Sequence, residues 1–317
     1  MRRLTWLRVA GAFFVALGLQ AAGTILIDGY SAPFAVHAML VLSSLLAVAS
    51  VGQTLVVILG GIDLSVPFVI GFANVVAAQL YGWGWPFPLV CLLVALLAAA
   101  IGALNGFLSS ALRVHPLILT LGVGTAVQGA VLLWTAGFPS GAAPDGLTSF
   151  VSIGAEAWIL PFPWLVPATA CLLVVTMLVL ARTPFGRRLY ALGANPVAAR
   201  YALIGPVRMW TLTYALSAML SAAAGVLLLG FTGSAYADVG QPYLFQSIAA
   251  VVIGGTALTG GQGGYLGTVA GALVLTELNT LLIGLGLQPS MVQAALGAVI
   301  IVLVSLYGRA AHIRTMI

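Results

Sequence analysis

Lysine is absent from all 317 residues. A phosphate-binding loop of the GxxxxGK[ST] type needs its lysine, so this stretch of chain carries no such loop. A Schiff-base lysine is excluded in the same way. Charge of either sign is scarce: eleven arginines and six acidic residues, with 5% of residues charged. The two cysteines, Cys91 and Cys171, lie within leucine- and valine-rich runs. They read as small core hydrophobes and offer neither a disulfide framework nor a metal site. The three histidines, His37, His115 and His312, are dispersed, with no His-x-x-x-His or Glu-x-x-His pair. No Gly-x-Ser-x-Gly elbow occurs. The expectation is a chain with no catalytic residue, no metal and no cofactor of its own.

What remains is apolar. The sequence is 62% hydrophobic, with a mean hydropathy of +1.17. Apolar runs of about 20 residues recur from end to end, the signal of transmembrane helices. They do not alternate apolar with polar, as barrel strands do. The fold class is therefore an all-α polytopic membrane protein, read as a single transmembrane domain over residues 1–317 with no soluble domain. The pI near 9.6 reflects arginines at helix ends, not a nucleic-acid surface. Arg2-Arg3 followed by an apolar run to Ile27 is too long for a signal peptide and reads as a retained first span.

Ten spans fit the pattern, at roughly residues 9–27, 38–59, 66–80, 89–112, 117–136, 164–181, 209–231, 244–258, 265–285 and 291–307. Arginine-bearing breaks are then separated by four, two and four spans. Every arginine, including Arg309 and Arg314, falls on the cytoplasmic side with both termini. Asp28, Asp145, Glu156 and Asp238 fall outside. The third and eighth spans are short, and read as tilted or broken. Gly102-xxx-Gly106 and Gly267-xxx-Gly271 predict close helix packing within the bundle.

Polar groups inside the apolar runs are few. Asp63 follows a Gly60-Gly61 break and precedes Ser65. It reads either as a cap on the third span or as part of a polar path, because non-helical backbone at membrane depth needs protein or water around it. Gln53, Asn74 and Asn105 read as interhelical hydrogen-bonders or as lining of such a path. Glu277 reads as an interhelical hydrogen-bonder or a proton-coupling group. Val56-Val57-Ile58-Leu59-Gly60-Gly61 is echoed by Val251-Val252-Ile253-Gly254-Gly255, a short hint of an internal repeat.

Residues 182–208 hold five of the eleven arginines and a punctuated helix signal. Asn195 fits an N-cap, Pro196 the first helical position, Gly205 a left-handed stop, and Pro206 forbids continuation. A helix over 196–204 cannot span a bilayer. It is the compact cytoplasmic element through which a soluble partner would act.

Four ordered motifs then carry a resemblance. Gly60-Gly61-Ile62-Asp63-Leu64-Ser65-Val66 resembles the GGIDLSVG signature of ribose/xylose-type ABC sugar-importer permeases. Asn105-Gly106 with the stretch Leu112 to Gly122 resembles their next segment. Thr183-Pro184-Phe185-Gly186-Arg187, Ala191-Leu192-Gly193-Ala194-Asn195 and Ala198-Ala199-Arg200 resemble their cytoplasmic loop. Val251 to Leu258, with Gly260, Gly261 and Gly263, resembles their late glycine-rich motif. Pro67 stands where glycine is usual, Pro196-Val197 replaces a commonly acidic pair, and Ala202-Leu203 replaces a small-Gly step.

The resemblance implies a permease of the bacterial inner membrane, paired with a second, identical or paralogous, permease. A cytoplasmic ATPase would drive it, holding ATP and magnesium, and a periplasmic binding protein would deliver a monosaccharide. It implies a coupling helix with Gly193, Asn195, Pro196, Ala199, Arg200 and Gly205 as its residues. The candidate path residues are Gln53, Gly60, Gly61, Asp63, Ser65, Asn74 and Asn105. From the residues alone, an ion-coupled secondary transporter using Asp63 or Glu277 is the alternative.

Overall fold

The computed structural model describes residues 2–154, 156–157 and 160–312, so Arg314 lies outside the described residues. Helices α1 (Arg2–Leu26), α2 (Pro33–Leu59), α3 (Val66–Gly82), α4 (Phe87–Ala111) and α5 (Pro116–Trp134) form the first half. The polar stretch that follows folds into a short α6 (Asp145–Val151) and a two-stranded hairpin, β1 (Glu156–Ala157) with β2 (Leu160–Pro163). Helix α7 (Leu165–Arg182) leads to α8 (Pro184–Ala194) and α9 (Pro196–Tyr201). Then come α10 (Pro206–Thr232), α11 (Tyr243–Ile253), α12 (Tyr265–Gly284) and α13 (Pro289–His312).

Among the described residues, seven helices are long and apolar enough to cross a membrane. Two of the three remaining expected spans hold shorter apolar helices, Val66–Gly82 and Tyr243–Ile253, and the third lies in α13. Both short helices adjoin chain that is not helical. At ~1.5 Å per residue, α11 is ~16 Å long, about half of a ~30 Å hydrocarbon core. The segment 233–242 before it runs beside α3. Gly71 packs on Ala237 and Gly240 on the Pro67 carbonyl. Asp238, expected outside, sits on this segment and accepts a hydrogen bond from Gln128 Nε2. The chain ahead of α3 is likewise irregular, over 60–65.

Helix α10 is the centre of the bundle, packed on α2, α3 and α4. Glycines set its distance from α4. A Cβ on Gly102 or Gly106 would collide with the α10 backbone at Tyr214 or Trp210. Gly267 and Gly271 do the same for α12 against Gly254 and Ala250 of α11. Both small-residue patterns therefore serve packing within the bundle, as expected.

The sequence echo has a structural counterpart. At the end of α2, Gly60 N–H donates to Val57 O (3.0 Å) and Gly61 N–H to Val56 O (2.9 Å). At the end of α11, Gly255 N–H donates to Val252 O (2.9 Å) and Thr256 N–H to Val251 O (3.1 Å). Gly60 and Gly255 occupy the left-handed region, with φ of 92° and 83°. Both helices thus close with the same paired bonds in the same register, a Schellman closure that favours glycine at the left-handed position.

Candidate functional site

The stretch 60–65 is non-helical backbone packed among helices, so its polar groups need partners. Leu64 N–H donates to Thr120 Oγ1 on α5 (3.0 Å). The Ile62 carbonyl accepts from Tyr214 on α10 (3.3 Å). Asp63 is buried, with 2% exposure. Its Oδ1 accepts from the Ser65 N–H (2.9 Å) and the Ser65 hydroxyl, and its Oδ2 from the Ser217 hydroxyl on α10 (2.9 Å). Asn105 on α4 donates to Ser65 Oγ (3.1 Å). One network therefore ties the break to α4 and α10 while Thr120 ties it to α5. Ser217 lies near the middle of α10, so Asp63 reaches well into the bundle rather than staying at its rim.

Of the expected path residues, Asp63, Ser65 and Asn105 come together here. Asn74 does not join them. It bonds the irregular segment instead, its Oδ1 accepting from Tyr236 N–H (2.8 Å) and its Nδ2 donating to Gly225 O (3.4 Å). Gln53 is fully buried, and neither of its amide atoms has a hydrogen-bond partner among the described residues. The Asn105 Oδ1 is likewise unpartnered. Sequence reasoning missed Ser217, Thr120 and Tyr214, because a lone hydroxyl on an apolar helix gives little signal.

Glu277 belongs to a different network. The Tyr30 hydroxyl donates to its Oε2 (3.0 Å) and lies 3.2 Å from its backbone carbonyl. With its amide nitrogen turned inward, Gln20 donates to both carboxylate oxygens, at 3.1 and 2.9 Å. The contacts pin α1 and its following turn to α12, the interhelical-bond reading of Glu277.

The second cluster lies in the arginine-rich stretch 182–208. Asn195 caps α9 as expected, its Oδ1 accepting from Val197 and Ala198 N–H groups (both 3.0 Å), with Pro196 first in the helix. The helix ends at Tyr201, short of the expected 204. Gly205 is not the left-handed stop. Its φ is −71° and it precedes Pro206 at the start of α10. Leu203 takes the left-handed position instead, with φ 58°. Leu203 N–H donates to Arg200 O (2.9 Å) and Ile204 N–H to Ala199 O (3.0 Å), a closure made with leucine where glycine is preferred. The physical reason for the error is that Gly-Pro reads equally as a helix stop and as the entry to the next helix.

Ala199 is buried, whereas Pro196 and Arg200 are exposed. The α9 surface also exposes apolar side chains: Val197 is 65% and Tyr201 87% exposed. Helix α8 was not expected. Thr183 Oγ1 accepts from Gly186 N–H (3.3 Å) and caps it, with Pro184 first in the helix. This is the same signal that identified α9. Leu189 and Leu192 of α8 bury against Leu55, Ile58 and Leu59 of α2, together with Ala199 and Met209.

Three of the sequence motifs meet at the end of α8. Gly261 N–H donates to Ile58 O (2.8 Å). A Cβ on Gly193 would strike that same carbonyl and lie 2.7 Å from Gly261 N. A Cβ on Gly260 would lie 2.8 Å from Gly193 O and 3.0 Å from Gly60 Cα. Tyr190 adds a hydrogen bond to Gly263 O (2.8 Å). The α8–α9 pair is thus joined, backbone against backbone, to the α2–α3 break and to the α11–α12 turn.

The family described as the branched-chain amino acid transport system permease component matches residues 35–304. The ribose import permease protein of Haemophilus influenzae is 34% identical over 241 residues, covering 76% of this chain and 74% of that protein. The autoinducer 2 import system permease protein of Escherichia coli K12 is 35% identical over 270 residues, covering 82% and 79%. No solved structure matches the chain.

Proposed function

The chain belongs to the branched-chain amino acid transport system permease component family, as a multi-pass inner-membrane protein, and we propose that it is the translocating subunit of an ATP-driven importer of a monosaccharide. The names of its relatives support the solute class: one imports ribose and the other autoinducer 2. The observation that carries the reading is the glycine junction. It links the compact α8–α9 pair directly to the two places where membrane passages break.

In this reading a cytoplasmic ATPase, a separate chain, grips α9. The lack of lysine supports ATP hydrolysis elsewhere, since no phosphate-binding loop occurs in these residues. ATP binding moves α8 and α9. No side chain intervenes between Gly193 and Ile58 O, so the motion passes to the α2 terminus and to the α11–α12 turn as a displacement of packed backbone. The Asp63–Ser217–Ser65–Asn105 network registers the break against α4 and α10. Gln53, Gly60, Gly61 and this network border the path. Asn74 supports it by holding the 233–242 segment. The subunit does no chemistry: it supplies two states with different affinities for solute and for the ATPase.

Ten passages with both termini cytoplasmic complete the topology, counting α3, α11 and α13 with their flanking chain. The whole chain acts as one domain, without a cofactor, beside a second permease copy or paralogue and a periplasmic sugar-binding protein. Energy dependence tests the proposal. Cells carrying the complete importer should lose solute uptake on ATP depletion and retain it when an uncoupler is added with ATP held constant. The opposite pattern would assign the chain to ion-coupled transport.

A further inference from the structure

A cavity of about 280 Å³ opens where α8, the chain after α9 and the first turns of α10 meet. Phe185, Leu203, Ile204 and Leu212 form apolar walls, and Arg188 and Arg208 stand at the same cavity. Both arginines are exposed. Neither has a hydrogen bond or ion pair with another described residue, unlike Arg187, which donates to the Arg182 carbonyl (3.2 Å). Topology alone explains why arginines are found on this side of the membrane. It does not explain two of them converging on one apolar cavity.

An apolar row leads away from the cavity along α10. Leu212, on its wall, begins an exposed row on α10 with Leu216 and Met219, at 43%, 36% and 37% exposure. Their spacing of four and three residues keeps them on one helix face. A cavity with two cations, opening onto an apolar track directed into the bilayer, has the layout of a phospholipid: an anionic headgroup and an acyl chain. The volume lies near the lower end of the ~300–1,000 Å³ typical of small-ligand pockets, which suits a headgroup with its chain left outside.

We propose that this cavity binds the headgroup of an anionic phospholipid, with the phosphate between Arg188 and Arg208 and an acyl chain along Leu212, Leu216 and Met219. Basic pockets on the cytoplasmic side of membrane helices select anionic headgroups in this way. A zwitterionic lipid would bring its own cation towards two arginines. A bound phosphate would bridge α8 to α10 across the end of the α9 loop. The proposal stands on the cavity and its charges, independently of which solute the chain carries or what drives it.

The test is native mass spectrometry of the full chain in a neutral detergent, titrated with phosphatidylglycerol, with phosphatidylcholine, or with inorganic phosphate. Wild-type protein should take up phosphatidylglycerol at concentrations about tenfold below phosphatidylcholine, and phosphate should not compete. The pair Arg188→Gln, Arg208→Gln should erase that preference, whereas Arg182→Gln, Arg187→Gln, an equal loss of charge outside the cavity, should keep it. Equal uptake of the two lipids by wild type overturns the proposal without any variant. So does an equal loss in both pairs, which would mean diffuse attraction, or full competition by phosphate, which would mean a free-anion site. A first pair that alters the oligomeric state but not lipid preference would assign the cavity to a second copy of the chain, and would also overturn it.

Discussion

Replacing Gly193 by alanine is expected to abolish ATP-driven uptake and to lower the melting temperature of the purified chain. The added Cβ meets the Ile58 carbonyl and the Gly261 amide, two backbone groups already joined by a 2.8 Å hydrogen bond. Overpacking against side chains typically costs ~1–3 kcal/mol. Here neither neighbour can rotate away, so the cost belongs at about 3 kcal/mol or above. The only relief is to move α8 off α2 or the 260–264 turn off both, and either breaks the junction. Gly122→Ala serves as the control, because nothing lies within 4 Å of its Cβ position. It should transport and melt as the unaltered protein does. Wild-type uptake by Gly193→Ala would show that the junction transmits nothing.

The second large effect separates Asp63→Ala from Asp63→Asn. Alanine leaves three donors without their acceptor in a buried site: the Ser65 N–H, the Ser65 hydroxyl and the Ser217 hydroxyl. An unsatisfied buried donor costs ~1–3 kcal/mol, and hydroxyls can partly re-aim, so the total should be about 3 kcal/mol with uptake lost. Asparagine keeps an oxygen for Ser65 and presents its amide to Ser217 Oγ, which can accept. Asp63→Asn should therefore retain most of the uptake and most of the stability. The ion-coupled alternative predicts the reverse ranking of causes: removing the charge alone would eliminate transport. Uptake measured in the two variants, normalised to protein inserted in the membrane, distinguishes these accounts.

Much of this arrangement was legible in residue order because membranes restrict what a chain can do. Continuous apolar runs matched α4, α5, α7, α10 and α12 to within three residues at each end, whereas α1 and α2 begin seven and five residues before the expected spans. Glycine before Asp63 marked a break, and Asn195-Pro196 marked a helix start that the Asn195 hydrogen bonds realise. Thr183-Pro184 carries the same start signal for α8, but it sits among arginines that draw attention to topology instead. Gly205-Pro206 was ambiguous in principle, since a glycine ending one helix and a glycine preceding a proline-led helix have the same sequence.

Long-range contacts were not legible at all. Thr213 and Ser221 bond the carbonyls four residues back on α10, whereas Ser217 between them turns to Asp63. Nothing local distinguishes the three. The meeting of Ile58, Gly193 and Gly261 depends on how three distant turns dock, and glycine is informative there only after the neighbours are known. The breaks themselves could be predicted, but not their partners: Thr120, Tyr214 and Asn74 satisfy backbone groups that lie far from them in sequence.

If α9 is the handle by which an ATPase works this bundle, altering its exposed face should release the ATPase. Val197 and Tyr201 are its large exposed apolar side chains, so Val197→Glu with Tyr201→Glu changes the surface and leaves the buried Ala199 contact intact. The direct measurement is co-purification of the ATPase with the permease carrying these two substitutions, alongside its melting temperature. The expected result is an unchanged melting temperature, loss of the ATPase from the purified complex, and no ATP-driven uptake. An ATPase that stays bound, with uptake at the wild-type level, would contradict it.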